Sequence, residues 1–263
     1  LFIQGGLNTD PWRFILVILG LFLAGGSANA LNQYFEREID SKMSRTNKRR
    51  PLPQGKINAT GALIFSISIG LLGVGLFAIF FNILSALLAL GTILFYSLFY
   101  TLFLKPNTPQ NIVIGGVAGS MPPLIAWAAA SDTVAAWPPW ILFLIIFFWT
   151  PPHFWALALF YKEDYEKAQL PMMPVIKGED HTLRQIFIYT LILVGVTLTM
   201  IAAEKGVWIY MAVSVVLGAI FIKKAYDTKK FKTAKLERKL FGFSLVYLFA
   251  LFFAIIIDSF VFR

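Results

Sequence analysis

The chain has 263 residues, 58% of them hydrophobic and 14% charged, with a mean hydropathy of +0.71, a balance that excludes an ordinary soluble domain. It holds no cysteine and two histidines, so disulfides and thiolate metal sites are excluded. The net charge of +9 is distributed as a membrane topology signal and argues for no nucleic-acid partner.

Eight apolar stretches, at about 12–35, 59–80, 84–104, 110–130, 138–161, 184–203, 207–222 and 240–261, approach or reach the length needed to cross a hydrocarbon core of about 30 Å. They predict an all-α fold, a polytopic membrane helical bundle forming a single integral-membrane domain over 1–263. Alternate connections are basic. Segment 36–57 carries seven Lys or Arg, 105–109 one, 162–184 four and 223–239 eight, leaving Arg13, Lys205 and Arg263 on the other side. By the positive-inside rule the four basic connections face the cytoplasm, which places the protein in the cell (inner) membrane with both ends of this chain outside.

The first span runs into Asn32, Glu36 and Asp40, every fourth residue and therefore on one helix face about a turn apart. An amide and two carboxylates are hard oxygen donors that suit Mg²⁺, an ion that leaves coordination places for substrate phosphates. Lys42, Arg45, Lys48, Arg49 and Arg50 follow, then Pro51, a set of cations able to surround phosphate oxygens. Ligands for a metal beside donors for an anion imply a phosphorylated substrate. Lys105, alone on its short connection, lies on the same membrane face and adds a further donor. The plain alternative for the whole segment is a basic cytoplasmic loop whose acids balance charge.

Further along, His153 stands in Trp149-Thr-Pro-Pro-His-Phe-Trp155, inside the fifth span. An ionisable group at that depth is a functional candidate, and neutral imidazole is a haem-iron ligand. The plainer account has it bonded to a carbonyl freed by Pro151 or Pro152. Where that span meets the cytoplasm, Lys162, Glu163, Asp164, Glu166 and Lys167 form a second charged cluster that can hold a second ion, or can be a solvated turn. The two clusters end the first and fifth spans, a spacing that suggests two related four-helix groups. Aromatic side chains within the spans, among them Tyr96, Tyr100, Trp127 and Trp149, can line an apolar tunnel and face a carbocation, while most serve packing. The connection 223–239 reads as a solvated link against anionic lipid headgroups.

The pattern Asn32-xxx-Glu36-xxx-Asp40, followed by Met43-Ser-Arg45-Thr46 and Arg50-Pro51-Leu52-Pro53, resembles the first aspartate-rich motif of the intramembrane UbiA-type prenyltransferases. Three further segments resemble the haem-farnesylating branch of that family: Tyr100 to Lys105 with Thr108 to Gly116; Gly119 to Trp127; and Trp149 to Ala158 running on to Asp164-Tyr165 and Pro171 to Val175. The resemblance implies nine spans around a central cavity, the first of them preceding Leu1, with farnesyl diphosphate and haem B as substrates and Mg²⁺ as cofactor. It implies that Asn32, Glu36, Asp40 and Asp164 serve the metal, that Arg45, Arg49 or Arg50, Lys105 and Lys162 hold the diphosphate, and that His153 contacts haem. A downstream haem-modifying enzyme is a candidate partner beside the membrane lipids. This chain has Glu36 where the usual pattern has Asp, and its second cluster lacks the usual paired aspartates.

Two other readings compete. Within the family, the acceptor is a quinone precursor or a chlorophyllide-like ring; outside it, the chain is a transporter or lipid carrier with polar residues at the bilayer centre. Polar groups clustered at the cytoplasmic helix ends favour an enzyme that takes a water-borne head and a lipid-borne tail.

Overall fold

The structure, a computed structural model, describes residues 10–262 apart from the side chain of Arg45. Asp10 opens the first helix, α1 (Pro11–Phe35), by accepting from the Trp12 and Arg13 amides at 3.1 Å, with Pro11 placed where no amide hydrogen is needed. Two short helices follow, α2 (Arg37–Lys42) and α3 (Ser44–Asn47). Next come α4 (Ala59–Phe80), capped by Asn58, and α5 (Ile83–Leu94), capped by Asn82. The latter continues through a π-helical stretch, Phe95–Leu104, into the single turn α6 (Lys105–Asn107).

The fourth span is broken into α7 (Asn111–Ser120) and α8 (Pro122–Ser131), because Pro122 can begin a helix and cannot continue one. Pro151 and Pro152 do not stop α9 (Trp137–Phe160), which crosses in one piece. Short helices α10 (Lys162–Lys167) and α11 (Met173–Ile176) precede the last three spans, α12 (Gly178–Ala203), α13 (Trp208–Phe231) and α14 (Ala234–Val261). Among the described residues eight helical segments are long and apolar enough to cross a membrane, which makes this a multi-pass membrane protein of all-α fold.

The hydropathy boundaries are corrected in the last third. The seventh span extends to Phe231 rather than 222, the sixth begins at Gly178 rather than 184, and the eighth begins at Ala234 rather than 240. Segment 223–239 is therefore two helix ends joined through Lys232 and Thr233 rather than a loop, and most of it is exposed, as a solvated link would be. Lysine, arginine and glutamate are good helix formers, so the helices outlast the apolar stretch that marks them.

Two buried clusters organise the bundle. One joins α1, α4, α5 and α8 around Val17, Phe77 and Ile93. The other joins α9, α12, α13 and α14 around Ile145, Trp155, Tyr210 and Tyr247. Small residues permit the closest approaches. Cβ atoms at Gly70 and Gly73 would meet Ser27 and the α1 backbone, which fixes how tightly α4 packs on α1. On α7, Cβ atoms at Gly115 and Gly116 would meet Tyr100 and Thr150, so that helix is wedged between the π-helical stretch and α9.

Candidate active site

The acidic face predicted from the spacing is present. Glu36 N donates to Asn32 O at 2.9 Å and Asp40 N to Glu36 O at 2.8 Å, so the i to i+4 register passes through the end of α1 into α2. Asn32, Glu36 and Asp40 are 3%, 2% and 2% exposed, a degree of burial that charged groups tolerate only when paired.

Their partners come from two other segments. Lys105 Nζ lies 2.6 and 2.7 Å from the Glu36 carboxylate oxygens. Arg50 Nη1 bonds to Asp40 Oδ2 and lies 3.4 Å from Glu36 Oε2, and its Nη2 lies 3.4 Å from Asn32 Oδ1. Two carboxylates and two cations leave the cluster neutral. Burial raises the Asp40 carboxyl above its usual range, while the Arg50 guanidinium pulls it back.

Of the two candidate arginines, Arg50 reaches the acids and Arg49 is exposed. The side chain of Arg45 lies outside the described residues. Two threonines that sequence reasoning passed over support the cluster. Thr101 Oγ1 accepts from Asn32 Nδ2 at 3.0 Å and donates to Tyr96 O at 2.8 Å, a five-residue span natural to π-helical turns. Thr46 Oγ1 donates to Asp40 O at 2.9 Å. A hydroxyl amid the aromatic run around Thr101 was the available signal.

The second acidic segment is linked to the first through α3. Asp164 is 8% exposed, and its Oδ2 accepts from Ser44 Oγ at 2.6 Å, next to Arg45 in the chain. Lys162 is not drawn to the Asp40 cluster; it faces Glu166 at 3.6 Å across an open polar cleft shared with Asp164 and Glu163.

His153 is elsewhere again. Its ring is stacked on Trp149 at 4.2 Å and Phe241 at 4.5 Å, and its Nδ1 is 2.8 Å from Ser244 Oγ. Ser244 Oγ already donates to Phe241 O at 2.6 Å, so His153 Nδ1 carries the hydrogen and donates to it. The partner is thus a side chain on α14 and not a carbonyl freed by Pro151 or Pro152.

Beside Asn32, a cavity of about 360 Å³ opens between α1, the π-helical stretch, α7, α8 and α9. That size is typical of small-molecule sites. Asn29, one turn before Asn32, lies on its wall with Tyr96, Tyr100, Trp149 and Phe154. Gly25 and Gly119 line it too, and a Cβ on either would meet nothing within 4 Å. His153 is not among its lining residues. The result is an apolar chamber whose Ala28–Asn29 wall stands about one helical turn before Asn32, the first residue of the acidic cluster, while none of Asn32, Glu36, Asp40, Arg50 and Lys105 is among its lining residues.

Among the described residues no three His, Cys, Asp or Glu side chains converge as a metal cage. Asn32 Oδ1 with the Glu36 and Asp40 carboxylates nevertheless fits Mg²⁺, which takes one or two carboxylates and completes its octahedron with water and substrate phosphate.

Residues 1–256 match the UbiA prenyltransferase family. The chain is 46% identical over 255 residues to the protoheme IX farnesyltransferase of Rippkaea orientalis, covering 96% of this chain and 78% of the relative. It is 47% identical over 261 residues to the enzyme of the same name from Erythrobacter litoralis, covering 97% and 84%. Among solved structures, a digeranylgeranylglyceryl phosphate synthase superposes with a TM-score of 0.77 at 25% identity, covering 95% of this chain and 86% of that one. A UbiA homolog from Archaeoglobus fulgidus, bound to GPP and Mg²⁺, does so at 0.60 and 17% identity, covering 92% and 87%. The motifs, the eight-helix fold and these matches agree, and the chain belongs to the UbiA prenyltransferase family.

Proposed function

We propose that this protein transfers the farnesyl group of farnesyl diphosphate to a vinyl group of haem B, producing haem O. The observation that carries the reading is the buried Asn32, Glu36 and Asp40, paired with the part-buried Arg50 and Lys105, in a cluster that begins about one helical turn past the Ala28–Asn29 wall of an apolar cavity. Such a set receives a charged diphosphate next to a space for its hydrocarbon tail. The choice of haem as acceptor rests on the relatives that share almost half of this chain's residues. The whole of 1–263 acts as one prenyltransferase domain in the cell membrane, with the Asp40 end in the cytoplasm as the loop charges require.

In this mechanism Asn32, Glu36 and Asp40 would hold Mg²⁺, and Asp164, bonded to Ser44 on α3, would serve the metal from the second acidic segment. The ion supplies Lewis-acid stabilisation of the leaving diphosphate. Arg50 and Lys105, freed from the carboxylates as the substrate binds, turn to its oxygens and stabilise the charge that develops as the C1–O bond breaks. The apolar walls keep bulk water from the allylic cation, and the rings of Tyr96, Tyr100 and Trp149 offer it their faces. The haem vinyl carbon attacks C1, water adds to the new cation and one proton leaves, giving a hydroxyethylfarnesyl side chain and free diphosphate. No protein nucleophile is needed.

The test is mass spectrometry of haems extracted from a host that lacks haem O, before and after expression of this chain. Haem O with expression supports the reading. Haem B alone, together with a prenylated quinone precursor, assigns the chain to a different acceptor.

A further inference from the structure

We infer that the start of α14 carries a binding site for the phosphate of anionic phospholipids, separate from the Asp40 cluster. A shallow, open cleft on the surface of one helical turn there is formed by the exposed Ala234, Lys235, Arg238 and Lys239. Positions 235, 238 and 239 share one helix face, where like charges three and four residues apart repel. They also sit in the first turns of a long helix, whose amino end already carries partial positive charge. Three cations concentrated in that place are unfavourable without an anion among them.

No acid stands among the three, although the exposed Glu179 lies within electrostatic reach of Lys232 and Glu237. Glu237, in the same turn, is 7% exposed and turned inward. Asp180 is held by Lys232 at 2.6 Å. Asp227 is half-buried on α13, and no acid lines the cleft. Across 223–239 there are eight cations against two acids, Asp227 and Glu237.

Aromatic contacts fix the depth of this surface. The Arg238 guanidinium lies 5.8 Å from the centre of the Phe160 ring, and the ammonium groups of Lys224, Lys229 and Lys230 lie 5.1–5.3 Å from Phe243, Phe187 and Phe231. Phe231 is itself 57% exposed, and Tyr226, about one and a half turns earlier on α13, is exposed too. Exposed aromatics beneath a row of cations mark the level at which hydrocarbon gives way to headgroups. At that level the phosphate of a lipid is permanently close, whereas a free anion must be captured from solution. Phe160 ends α9 four residues before Asp164. A lipid held by Arg238 therefore braces α14 against the end of α9, which leads into the second acidic segment on α10.

The experiment is native mass spectrometry of the whole chain released from mixed phosphatidylglycerol and phosphatidylcholine bilayers. Lys235→Gln/Arg238→Gln/Lys239→Gln should lose bound phosphatidylglycerol on the order of tenfold to a hundredfold, from the usual contribution of each cation near an anionic surface. Lys235→Arg/Lys239→Arg should retain it, and helical circular dichroism should match the parent in both. Equal retention by the triple glutamine variant overturns the proposal. So does displacement of the lipid by millimolar inorganic phosphate, which would make this a site for a free anion. Because the readout is bound lipid, the result is independent of which acceptor the enzyme prenylates.

Discussion

Lys105 and Glu36 are 69 residues apart in the chain, yet Lys105 Nζ sits 2.6 Å from one Glu36 oxygen and 2.7 Å from the other. The contact joins the end of the π-helical stretch to the end of α1, two of the elements that line the cavity. Glu36 is 2% exposed, so it depends on this partner for much of its compensation. Replacing Lys105 by Met strands a buried carboxylate and removes a donor to the leaving group. Farnesyl transfer should fall by about 10²–10³ in kcat/KM. Lys105→Arg should recover part of the loss, and steady-state assay of haem farnesylation at varied farnesyl diphosphate would show it.

Arg50, and not Arg49, touches the acids. Arg50→Gln should therefore raise KM for farnesyl diphosphate and lower kcat together, while Arg49→Gln changes either by less than about threefold, as an exposed side chain without a buried partner should. Comparable damage from both variants would contradict the arrangement of the loop.

Gly115 and Gly119 lie one turn apart on α7 and should behave differently. A methyl at Gly115 overlaps the Tyr100 ring, and Gly115→Ala should cost about 1–3 kcal/mol of stability. Gly119 faces open cavity, so Gly119→Ala should unfold at the parent temperature, while Gly119→Leu reduces turnover by filling the chamber. Thermal unfolding in detergent, read beside activity, separates the two.

Variants of His153 separate a packing residue behind the cavity wall from a haem ligand. Its ring lies between Trp149 and Phe241 and outside the cavity lining, so His153→Phe should keep the stack, the Soret spectrum and most of the activity. His153→Ala should leave a hole behind Trp149 and cost about 2–4 kcal/mol. A Soret shift in His153→Phe equal to that in His153→Ala would point instead to iron ligation.

Much of this was legible in the sequence because membranes impose simple rules. Apolar length marked eight spans, and loop charge ordered them. The fourfold spacing of Asn32, Glu36 and Asp40 survived because the helical register continues past the nominal end of α1. The choice between Arg49 and Arg50 was not legible, since it depends on how residues 43–50 turn back over Asp40. Nor was the π-helical stretch, whose aromatic sequence suits an ordinary helix equally well. Glycines were ambiguous for a related reason: Gly70 permits close helix packing and Gly119 faces a cavity, and only the neighbours across space distinguish them. The helical ends around Lys232 were missed because charge ends a hydropathy window without ending a helix.

The central claim is that the Asp40 cluster drives farnesyl transfer to haem. Its most direct test compares the parent and Asp40→Ala in membranes supplied with farnesyl diphosphate, haem B and Mg²⁺, with haem O measured by mass spectrometry. The account predicts haem O from the parent and none above background from the variant, with both proteins equally helical. Conversion by Asp40→Ala at the parent rate would contradict it.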